Sequence, residues 1–153
     1  DDTEARDYTA RSLSALRDLA VARNQVLSVE DAALAMIAAL EDAEARVAPE
    51  IAEVLAHIAQ ARAQTALMDA ALDAGDAEQA ELLSKVADSA KRFGNMLEPR
   101  QVTRLLSLAS SDDDGVATAA AAVMGALDLP NTDLVPLITG DAGTSGATDR
   151  ASR

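Results

Sequence analysis

The feature that most constrains this chain is an internal similarity with a period of 34 to 39 residues. Tyr8, Val47, Leu82 and Val116 lie 39, 35 and 34 residues apart, and each opens an apolar or small stripe at i, i+4, i+8. The stripes are Tyr8-Ser12-Leu16, Val47-Ile51-Leu55, Leu82-Val86-Ala90 and Val116-Ala120-Met124. A Leu-rich segment follows each of them: Met36 to Leu40, Leu67-Met68 with Ala71-Leu72, Leu105-Leu106 with Leu108, and Leu134-Val135 with Leu137-Ile138. A period of this length is that of one two-helix unit. Such a unit cannot bury its apolar face alone, so neighbouring units must stack.

The units are helical because the apolar content is Ala, Leu, Val and Ile, with alanine about a quarter of the chain and no alternating β-branched runs. Tyr8 and Phe93 are the only aromatics and there is no Trp. Punctuation divides the chain into eight expected helices near 4–22, 28–41, 44–60, 63–73, 76–93, 99–110, 115–127 and 132–139. Ser28 with Asp31 has the form of a capping box, and Gly75 closes one helix before Asp76 caps the next, with Gln79 at its third position. Gly94-Asn95 ends a helix, Pro99 suits a first turn, Asp112 to Asp114 precede Val116, and Pro130-Asn131 makes a last turn. Residues 1–139 therefore read as one all-α repeat domain and 140–153, without a large apolar residue, as a disordered tail or linker. A first residue other than Met reads as a piece of a larger protein.

With Leu40-Glu41-Asp42 before Val47, Ile51 and Leu55, and with Leu134-Val135-Pro136-Leu137-Ile138 later, most of residues 4–139 resembles the HEAT repeats and their PBS-lyase-type relatives. The position after Val47, basic in many members, is Ala48, while Arg46 stands one place before it. The resemblance implies a short right-handed, armadillo-like α-solenoid of about four two-helix repeats; an irregular helical bundle is the alternative fold. It also implies a concave face lined by the second helices. Leu55 and Leu106 are expected between helices.

Charge and residue types exclude several functions. Thirteen basic and 26 acidic residues give a net charge of −13, the wrong sign for nucleic acid or anionic lipid, and no apolar run spans a bilayer. Without Cys there is no thiol nucleophile or thiolate metal site. His57, the only His, lies four residues from Glu53 and lacks an HExxH partner; it reads as an ordinary helix residue, with phosphotransfer as a remote option. Asp112, Asp113 and Asp114 fail as a calcium loop because Ala121 stands where the bidentate Glu belongs, so they read as helix-capping acids. Met36, Met68, Met96 and Met124 read as core filling. No catalytic constellation, cofactor or metal site is expected.

Lys85, Lys91, Arg92, Arg100 and Arg104 form a basic cluster in this acidic chain, either a contact for an acidic partner or the partners of neighbouring carboxylates. The expected role is a non-enzymatic, soluble and cytoplasmic scaffold module that binds a protein partner on its concave face. The resemblance implies that exposed positions of the second helices are its candidate contacts: Glu30, Asp31, Asp69 and Asp73 as an acidic half suited to a basic segment, and Arg100 and Arg104 as a basic end. A PBS-lyase-like enzyme accessory handling a ligand is the alternative.

Overall fold

The computed structural model describes residues 2–22, 29–41 and 47–129, with side chains described from Tyr8 onward, Asp76 excepted. Among these residues the protein is all helical. Helices α1 (Asp2–Val21), α2 (Ala33–Glu41), α3 (Ala48–Leu55), α4 (Ala61–Asp73), α5 (Asp76–Phe93), α6 (Pro99–Leu108) and α7 (Asp114–Leu127) follow in order, and a 3-10 turn, Val29–Ala32, leads into α2. The expected cap at Ser28, the Pro130-Asn131 turn, the helix at 132–139 and the tail at 140–153 lie outside the described residues.

Local chemistry explains the boundaries. Pro49 has no N–H to give and is tolerated in a first turn, and α3 is described from Ala48; the expected start at 44 lies outside the described residues. The end of α3 comes early. After Ala56 the amides reach back three residues instead of four, His57 N to Val54 O at 3.0 Å and Ile58 N to Leu55 O at 3.0 Å. The Glu53 carbonyl freed by this tightening accepts a hydrogen bond from His57 Nδ1 at 2.8 Å. Gly94 ends α5 at φ +81, a conformation that a side chain would strain. Asp113 Oδ1 accepts from Val116 N at 2.8 Å and so caps α7, the role expected of this acidic run. Gly75, not Asp76, is the cap residue of α5, and Gln79 turns inward to donate to Ala71 O at 2.8 Å, tying α5 to the end of α4.

Packing follows chain order. Every substantial contact between described helices joins elements one or two apart: α1, α3, α5 and α7 touch in succession, as do α2, α4 and α6, and none joins α1 to α7. The core is built from Ile51, Val54 and Leu55 of α3, Leu67 and Met68 of α4, Leu82, Leu83 and Val86 of α5, Leu105 of α6, and Val116 and Val123 of α7. Three expected stripes face it, with Val47 and Met124 half-buried at their ends. The first does not: Tyr8 is 69 % exposed and Ser12 is exposed, while α1 buries Leu13 and Ala20 and half-buries Leu16. One residue along a helix is a rotation of about 100°, enough to carry a stripe off the core face. The same rotation separates Leu105, fully buried, from Leu106, half-buried.

Because Leu55 and Leu105 are both fully enclosed, Leu55→Ala and Leu105→Ala should each lose about 2–5 kcal/mol in urea unfolding, and Leu106→Ala clearly less than either.

Candidate functional site

Glutamine side chains hold successive units together. Gln64 of α4 donates through Nε2 to Ser89 Oγ (3.1 Å) and Gly94 O (3.1 Å) and accepts from Met96 N (2.7 Å). Gln101 of α6 donates to Thr65 O (2.9 Å) and Asp69 Oδ1 (2.8 Å) and accepts from Glu98 N (3.1 Å). Both are buried with donors and acceptors engaged, the condition under which a buried amide does not destabilise. Gln60 Nε2 reaches Glu30 O at 3.3 Å in the same sense.

These clamps set α6 beside α4, which decides where the charges go. Arg100 Nη2 lies 3.7 Å from Asp69 Oδ2 and Arg104 Nη2 lies 3.9 Å from Asp73 Oδ1. Arg100 Nε also donates to Glu98 Oε2 at 2.7 Å, and Arg104 to Leu72 O at 3.4 Å. Asp69 and Asp73 of the expected acidic half therefore lie beside Arg100 and Arg104 of the expected basic end, because residues about one repeat apart in sequence become neighbours in space. The rest of the basic cluster is engaged as well: Lys85 pairs with Glu53, Lys91 with Asp88 at 3.4 Å, and Arg92 reaches Ala56 O at 3.5 Å. Asp31 is exposed in the 3-10 turn before α2, beside Glu30, where carboxylates complement a helix start.

Between α2 and α4 lies an open groove of about 700 Å³. Leu34, Ile37 and Leu40 of α2 and Ala66 and Ala70 of α4, with Ala48, Ala74 and Leu82, supply its apolar surface. Glu41, Asp69, Asp73 and Glu78 line it as carboxylates, and Arg62 is the single basic residue among the described ones there. Leu34 is 62 % exposed, one of the few large apolar side chains in water. Asp69 and Asp73 thus fall at the groove, whereas Glu30, Asp31, Arg100 and Arg104 do not line it. Sequence reasoning missed Leu34, Glu41 and Glu78. The available signal for Leu34 was its phase, one residue past the buried Ala33.

His57 is packed to 10 % side-chain exposure, with Nδ1 directed at Glu53 O and 3.8 Å from Glu53 Oε1. That Nδ1–H···O contact assigns the ring a structural bond at the end of α3. Among the described residues there is no cluster of three or more His, Asp or Glu able to hold a metal ion, and no helix long and apolar enough to cross a membrane. No protein-family model, curated protein or solved structure matches the chain.

Asp69 and Asp73 each face an arginine, yet only Asp69 also receives a bond from buried Gln101. Asp69→Ala should therefore cost about 1–3 kcal/mol, the penalty of an orphaned buried donor. Asp73→Ala, removing an exposed pair, should stay within about 0.5 kcal/mol of wild type. Denaturant midpoints of the two variants check the difference.

Proposed function

We propose that this chain is a short HEAT-like helical-repeat solenoid, right-handed as the resemblance implies, that works as a non-enzymatic docking module for a protein segment. Contacts confined to helices one or two apart, and hydrogen bonds that recur between residues about one repeat apart, support the repeat reading. The observation that carries the docking reading is the α2–α4 groove, a concave apolar strip with a polar rim and an exposed leucine. Grooves between helices of this size commonly receive a helix or peptide through a few apolar anchors. The face is that of the second helices, and on it Asp69 and Asp73 are partner contacts, with Arg100 and Arg104 bracing them from α6.

Selection of short helical peptides from a displayed library against the full chain tests this reading. Selected peptides should lose about tenfold or more in affinity for Leu34→Asp, a change of roughly 1.4 kcal/mol or more, while the variant's unfolding midpoint stays unchanged. Peptides that bind Leu34→Asp as tightly as wild type would overturn the groove as the docking face.

A further inference from the structure

Resting on the α2–α4 groove as the docking face, we infer that its occupant is a basic amphipathic helix of two to three turns, bulky on its apolar stripe and carrying Lys or Arg on the flank that meets Glu41 and Asp73. Length comes first. The nine residues of α2 and the thirteen of α4 make walls of about 14 and 20 Å at 1.5 Å per residue, which match a helix presenting anchors at i, i+3 or i+4, and i+7.

Shape comes second. On the α4 wall the apolar lining residues are Ala66 and Ala70, one turn apart, which leave room between the helices for large side chains from the occupant. On the α2 wall Leu34 and Ile37, also one turn apart, offer the apolar contact.

Charge decides the class. Glu41 is the last residue of α2 and Asp73 the last of α4, and neither helix has a basic residue in its final turn. A helix C-terminus already carries partial negative charge, so carboxylates there oppose the stability of their own helices. Among the described residues, Arg104 approaches the end of α4 from outside the groove, 3.9 Å from Asp73 Oδ1 and 3.4 Å from Leu72 O. Arg62, at the opposite end of α4, donates to Gln60 Oε1 at 2.6 Å. Four lining carboxylates against one described arginine, with Glu41 and Asp73 at the ends of their helices, therefore give the groove a charge that a cationic helix flank complements.

Three labelled peptides of about three to four turns, identical in their Leu stripe and carrying Lys, Gln or Glu on the flank, test the inference by fluorescence anisotropy with the full chain. The Lys peptide should bind about tenfold tighter than the Gln peptide, weaken as salt rises from about 50 to 300 mM, and lose that advantage on Glu41→Gln with Asp73→Asn. Arg104→Ala, which removes the fold's own competing cation, should tighten the Lys peptide several-fold, an effect opposite to that of general destabilisation. If the Gln peptide binds as tightly as the Lys peptide and both are lost on Leu34→Asp, the basic class is wrong and the docking face stands. Lys-peptide binding indifferent to Leu34→Asp, or self-association of the chain through this groove, overturns the inference. If no peptide binds in a Leu34-dependent way, the docking face falls with it.

Discussion

Everything in this molecule depends on α5 being covered from several directions at once. It is the helix against which α3, α4 and α7 all pack, and it buries Leu82, Leu83, Val86, Ala87 and Ala90 along one broad face. A face that wide is shared among several partners in a layered arrangement, since any single partner would leave part of it in water. Alanine makes the layering tight. A Cβ built on Gly115, in the first turn of α7, would stand 3.9 Å from Ala80 Cβ of α5, an ordinary van der Waals contact. With two aromatics in the chain, stabilisation comes from many small apolar contacts and from the glutamine clamps that fix the spacing between units.

Those clamps convert sequence distance into spatial order. Once Gln101 is anchored on Thr65 O and Asp69 Oδ1, the following turn of α6 must place Arg104 alongside Asp73, four residues beyond Asp69. Charges separated by about a repeat along the chain therefore meet at Asp69 with Arg100 and at Asp73 with Arg104. The pairs are long and open to water, with Asp73 80 % exposed, so Coulomb attraction between them is weak beside the buried amide bonds. Hydrogen bonding sets the register here and charge pairing follows it.

The helices were largely legible because their boundaries rest on local chemistry that a sequence displays: Pro99 in a first turn, Gly94 at a positive φ, Asp113 as a cap. The early end of α3 was not, since it depends on His57 folding back onto Glu53 O. Phase was the weaker signal. In a helix of Ala, Ser and Leu more than one face satisfies an i, i+4, i+8 pattern, so aligning α1 to the later units through Tyr8 and Ser12 chose a face turned to solvent instead of the one bearing Leu13 and Ala20. Half of the site was legible as acids on α4. Its apolar half was hidden because Leu34 beside Ala33 reads as core until the helix rotation is known.

The placement of carboxylates at the ends of α2 and α4 separates two kinds of acidic residue in this chain. Asp113 sits at the start of α7, where a carboxylate accepts backbone N–H groups and meets the positive end of the helix. Glu41 and Asp73 sit where the backbone presents carbonyls, so they add charge of the same sign as the field already present. An acid at a helix start therefore serves its own helix, and an acid at a helix end must be compensated from elsewhere. Arg104 supplies part of that compensation to α4, from a helix about one repeat further on, with Nη2 3.9 Å from Asp73 Oδ1. Glu41 has no basic residue in the last turn of its own helix, so on the proposed docking face its charge is the one left for a partner to complement.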